Sequence, residues 1–65
     1  MAGIKQAVKW MKRDRDVCRS SDPLDVFNVS EHFDGAIMVS RCESIASFAR
    51  LTANDLLAED WEIAE

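Results

Sequence analysis

The chain has one proline, Pro23, and two glycines, Gly3 and Gly35, among 65 residues. That scarcity excludes collagen-like and low-complexity classes. No apolar run approaches the roughly 20 residues that a membrane span needs. Lysines interrupt the apolar pattern of the opening segment MAGIKQAVKW. It therefore does not read as a signal peptide, and the default expectation is a cytosolic protein. Cysteine is sparse, with Cys18 and Cys42 separated by 24 positions. No CxxC or HxxxH spacing accompanies them, so no metal or cofactor is expected and both read as buried, reduced thiols. The one histidine, His32, sits in a polar turn stretch with no placed partner. There is no Ser/His/Asp order, no glycine-rich phosphate loop and no paired-carboxylate pattern. No catalytic residue is assigned, and an enzyme is not expected.

What is present is globular in character: 48% apolar and 31% charged residues. Residues 1–65 make one small domain. A chain of this size buries only about 60% of its unfolded surface, so a partner surface is an expected source of stability. The net charge of −4 is unevenly placed. Residues 1–19 carry Lys5, Lys9, Lys12, Arg13, Arg15 and Arg19 against Asp14 and Asp16, a net +4. Residues 20–65 carry Arg41 and Arg50 against ten acids, a net −8. The basic stretch fits either a solvated face or a cationic surface for a phosphate-bearing ligand. Duplex nucleic acid is not an expected partner, because a net-acidic chain repels a long polyanion. A small phosphorylated ligand needs only one or two arginines.

Ile4, Ala7, Val8 and Met11 recur at helical spacing and predict a helix from Ile4 to about Lys12. Trp10 lies beside that stripe, where it either widens the buried face or packs on a second subunit. Residues 16–19 predict a short strand, and Ser20-Ser21-Asp22-Pro23 predicts a turn. Leu24–Val29 reads as a strand with Phe27 and Val29 on one face. Asp34-Gly35 predicts a tight turn, and Ala36–Cys42 a second strand. Residues 43–51 fit a helix or a bent strand, and the strand is preferred. Thr52 followed by Asp55 has the form of a helix N-cap, with a short helix continuing through Leu56, Leu57 and Ala58. Trp61 and Ile63 alternate as a terminal strand. The expected fold is α+β: an N-terminal helix, a small antiparallel sheet, a short C-terminal helix and a terminal strand.

The closing segment Asp55-Leu56-Leu57-Ala58-Glu59-Asp60-Trp61-Glu62-Ile63 resembles the end signature of a phage family, Thoeris anti-defence two. Residues 7–12 look like that family's opening helix, Val17-Cys18-Arg19 matches its Val-x-Arg pattern, and Thr52 takes its capping position. The likeness is specific over residues 52–63 and weak between 20 and 50. Ser20-Ser21-Asp22-Pro23 stands where family members carry a Gly-Trp pair, and Phe48-Ala49 where they often carry a tryptophan. The resemblance implies a non-enzymatic sponge in the host bacterial cytoplasm. It would sequester a cyclic nucleotide immune signal, glycocyclic ADP-ribose or a cyclic dinucleotide, in pockets between subunits of a homo-oligomer.

Such a ligand presents base faces, phosphates and ribose hydroxyls. Trp10, Phe48 and Trp61 are the candidate stacking platforms. Arg19 and Arg50 are the candidate phosphate ligands. Asn54, Asp55 and Asp60 could read polar edges. Several of these have a structural alternative: Trp61 as core beside Ile63, Arg19 as an ion-pair partner, and Asp55 as a helix N-terminal stabiliser. A different class of function is also open, a protein-interaction module that inhibits a host protein through its acidic surface.

Overall fold

The computed structural model describes residues 1–41 and 45–64. Helix α1 spans Ile4–Met11 and buries Ala7 and Met11, as the helical spacing predicts. It ends at Lys12, and Asp14 then adopts a left-handed φ of 61°. Lys9 in the last turn complements the helix dipole. Strands β1 (Val17–Arg19), β2 (Asp22–Ser30), β3 (Ala36–Arg41) and β4 (Ser47–Phe48) follow. Helix α2 (Ala53–Leu57) and strand β5 (Trp61–Ile63) complete the chain. All strand pairs are antiparallel, in the order β4-β3-β2-β1-β5. The fold is α+β with the expected terminal strand.

Register explains where the core lies. Val17 pairs with both Phe27 and Ile63, and Phe27 pairs with Val39. Directly opposed residues share a sheet face, so these side chains line up on one side. Ala7 and Met11 of α1 and the fully buried Trp61 pack with Val17 and Phe27 as the core. Phe27 and Trp61 meet edge to face at 5.3 Å, a favoured aromatic arrangement. Ile4, Val8 and Trp10 pack around them. Cys18 is buried and free, and burial, reinforced by Glu62, pushes its thiol pKa up. Cys42 lies outside the described residues.

The Asp34-Gly35 turn forms with φ of 55° and 79°. Gly35 suits the left-handed region, and an Asp tolerates it. Three expectations change. Asp22 and Pro23 belong to β2 rather than to the preceding turn, which shrinks to Ser20-Ser21. Pro23 is tolerated there because β3 begins pairing only at Asp25 and the β1 register is irregular beyond Val17. Of the strand preferred over residues 43–51, only Ser47–Phe48 is a strand, while Glu43 and Ser44 lie outside the described residues. Helix α2 starts at Ala53 and stops at Leu57, because Ala58 is already extended.

Candidate functional site

Arg19 ends β1 opposite Trp61 of β5, which brings the residue before that strand, Asp60, beside its guanidinium. Arg19 Nε donates to Asp60 Oδ1 at 2.7 Å, and Nη1 donates to Asp55 Oδ1 at 2.8 Å. Ser20 Oγ and the Ser21 backbone N–H both donate to Asp60 Oδ2 at 3.2 Å. Asp55 is held independently by the capping box of α2. The Thr52 backbone N–H donates to Asp55 Oδ2 at 2.9 Å, and the Asp55 N–H donates to Thr52 Oγ1 at 3.3 Å. Trp61 Nε1 donates to the Asp55 carbonyl at 3.0 Å. One arginine therefore joins β1, α2 and the start of β5.

These contacts shift the titrations. Hydrogen bonding from Arg19, aided by Ser21 and Ser20, holds the Asp60 carboxyl down at about 2, below its ordinary 3.8. Asp55 is also lowered, chiefly by the Thr52 N–H and then by Arg19. Arg19 is raised, first by Asp60 and then by Asp55. A depressed folded-state pKa stabilises the fold above the unfolded value and loses that contribution as pH falls through the folded value. The melting temperature is expected to fall as pH drops from above 3.8 towards about 2. Arg19→Gln is expected to flatten that part of the profile, as read by thermal melts at stepped pH. An unchanged slope in the variant contradicts the assignment.

Beside this network lies an open cleft of about 570 Å³. Phe27 and Val39 of the sheet line it together with Arg19, Asp22 and Asp25. Ser47 and Phe48 of β4, Arg50, Thr52 and Asp55 complete the lining. Arg50 is exposed and makes no ion pair with any described residue. Phe48 is 61% exposed, and its ring stands 5.1 Å from that of Phe33. Asp25 sits 3.6 Å from Arg41, yet burial and the adjacent Asp22 carboxyl raise its pKa. The cleft thus combines an exposed guanidinium, several carboxylates and an apolar floor, with Phe48 at its rim, opposite Met38 and with its ring against Phe33. A second cleft of similar volume, bounded by Met11, Asn28, His32, Phe33 and Met38, contains no arginine.

Of the eight sequence candidates, Arg19, Phe48, Arg50 and Asp55 meet in the first cleft. Arg19 arrives already committed to two carboxylates, so it braces the wall and leaves Arg50 as the exposed cation there. Asp60 contacts the site only through Arg19 and the Ser20-Ser21 turn. Trp61 is fully buried and cannot serve as a stacking platform. Trp10 packs against the core, and Asn54 is exposed on α2 outside the lining. The basic residues Lys5, Lys9, Lys12, Arg13 and Arg15 are exposed and also lie outside it. Asp22, Asp25, Ser47 and Thr52 are lining residues that were not candidates. The alternation that places Phe27 inward also places Asp25 on the same face, a signal already present in the Leu24–Val29 strand, whereas Asp22 falls outside it when β2 is started at Leu24.

Among the described residues, no group of three or more His, Cys, Asp or Glu side chains is placed to hold a metal ion. No described helix is long and apolar enough to cross a membrane. No protein-family model, curated protein or solved structure matches the chain.

Proposed function

We propose that this chain is a phage anti-defence sponge of the Thoeris anti-defence two type, acting in the host bacterial cytoplasm. It binds a cyclic nucleotide immune signal, a glycocyclic ADP-ribose species or a cyclic dinucleotide, and retains it intact. The observation that carries the reading is the convergence of Phe48, Arg50 and the Thr52–Asp55 capping box on one cleft. The resemblance rests on that same Thr52–Ile63 segment.

Phe48 offers a base a ring face, worth about 1–3 kcal/mol per stacked base. Arg50 supplies a planar fork for phosphate. Asp22, Asp25 and Asp55 accept hydrogen bonds from ribose hydroxyls or base amino groups. Arg19 is a positioning residue: it ties Asp55 and Asp60 together and keeps α2 against β1. The three cleft carboxylates confine favourable phosphate contact to the Arg50 side. This selects a compact ligand with separated phosphate and sugar–base faces over a polyanion. Retention needs no bond-making step.

Calorimetric titration with a panel of cyclic nucleotides tests the reading. Saturable uptake of at least one cyclic species, with linear nucleotides weaker, is expected. Absence of uptake across the panel, together with capture of a defined host protein, would replace it with the interaction-module reading.

A further inference from the structure

Helix α1 places its charges against its own stability. Gly3 offers no side-chain cap, and the first turn carries no acid. Lys5 stands there instead, at the positive end of the helix dipole, where a carboxylate is preferred. Lys5 and Lys9 are four residues apart, and Lys9 and Lys12 three apart. Their ammonium groups therefore form one stripe of like charge, which destabilises a helix. All three lysines are exposed. The chain has twelve acids, yet among the described residues none forms an ion pair with this stripe.

The stripe borders an apolar trench of about 400 Å³. Ile4 and Val8, one helical turn apart and half-buried against the core, form its floor. Lys5, Lys9 and Lys12 form its wall, and no described carboxylate lines it. Such a trench fits an apolar ridge flanked by acids. Nucleic acid brings phosphates but no ridge for the floor, and residues 20–65, at net −8, repel it. A lipid surface takes protruding apolar side chains, whereas Ala7 and Met11 of this helix are turned into the core. An extended acidic segment repeats a face about every 6.6 Å. The lysines rise by about 6 Å and then by about 4.5 Å, so that segment falls out of step. A helix with acids at i, i+4 and i+7 repeats the lysine spacing, and an apolar stripe beside them meets the floor.

We propose that this trench docks an amphipathic acidic helix of a partner protein. The partner's apolar stripe lies on Ile4 and Val8, and its carboxylates meet Lys5, Lys9 and Lys12. The repulsion carried by the free helix becomes attraction in the complex, and the charge pattern selects the partner. The trench shares no residue with the Phe48–Arg50 cleft. Docking is therefore an activity additional to nucleotide retention, and neither depends on the other.

A fluorescent synthetic helix tests this, with leucines along one stripe and glutamates beside it at i, i+4 and i+7. Anisotropy titration with the purified chain is expected to show saturable one-to-one binding that weakens with salt. Lys5→Glu places an acid at the start of α1, four residues before Lys9 in the favourable order. It should keep or raise the melting temperature while weakening peptide binding at least about tenfold, because a like-charge contact replaces an ion pair. Replacing the peptide's leucines by serines should weaken binding by at least about as much. Equal binding of the leucine and serine peptides overturns the trench, as does a folded Lys5→Glu chain that binds like wild type. Lysine-dependent attachment to phosphatidylglycerol vesicles without peptide binding overturns it in favour of a lipid surface. Lysine-dependent self-association without peptide binding overturns it in favour of a second copy. Cyclic nucleotide uptake is expected to be the same in Lys5→Glu and wild type, and a parallel loss of both bindings contradicts a separate docking site.

Discussion

Trp61→Ala is expected to abolish the cooperative fold. Trp61 is fully buried, meets Phe27 edge to face, and donates from Nε1 to the Asp55 carbonyl. Its backbone also carries both bonds to Ala2 and the pairing with Arg19. Replacing a buried aromatic by alanine costs about 3–5 kcal/mol. A core of this size rarely supplies more than about 3–5 kcal/mol in total, so the loss consumes nearly all the stability. Trp61→Phe separates the causes: it keeps an aromatic ring but removes the Nε1 donor and part of the packing. It should remain folded with a lower urea midpoint. The measurement is urea unfolding followed by near- and far-ultraviolet dichroism. A cooperative Trp61→Ala transition with an unshifted midpoint contradicts the placement of this residue at the core.

Phe48→Ala and Arg50→Ala should each weaken cyclic nucleotide binding while leaving the melting temperature of the subunit nearly unchanged. Both side chains are exposed, so their removal leaves no core cavity. Loss of one stacked base at about 1–3 kcal/mol corresponds to roughly a 5- to 150-fold weaker Kd. Loss of a charge-assisted bidentate contact falls in the same range. Arg50→Lys should recover only part of the affinity, because an ammonium lacks the planar fork. Calorimetry on the three variants measures this directly. Unchanged affinity in both alanine variants rejects the cleft as the binding site.

Local chemistry made much of the fold legible. The i, i+3, i+4, i+7 stripe of α1 needs only helical geometry. The Thr52–Asp55 cap is a three-residue interaction that forms as read. The Asp34-Gly35 turn follows from which residues tolerate positive φ. The long-range arrangement was not legible. That β5 returns beside β1 depends on packing between distant elements, and only this return brings Asp60 to Arg19, 41 positions away. Asp22-Pro23 carries turn chemistry, but the hairpin closes in two residues and leaves Pro23 where the ladder demands no N–H. Trp61 shows the same limit from the other side: alternation with Ile63 fits a buried strand or an exposed platform, and only the packing of α1 decides between them.

Retention of an unaltered messenger is read from the fate of that messenger. The purified chain is incubated with a cyclic nucleotide that it takes up, freed of unbound ligand, heat-denatured and resolved by chromatography and mass spectrometry. Recovery of the bound nucleotide is expected, intact and in constant proportion to protein however long the incubation. Recovery of a linearised or hydrolysed product that accumulates with time would contradict it.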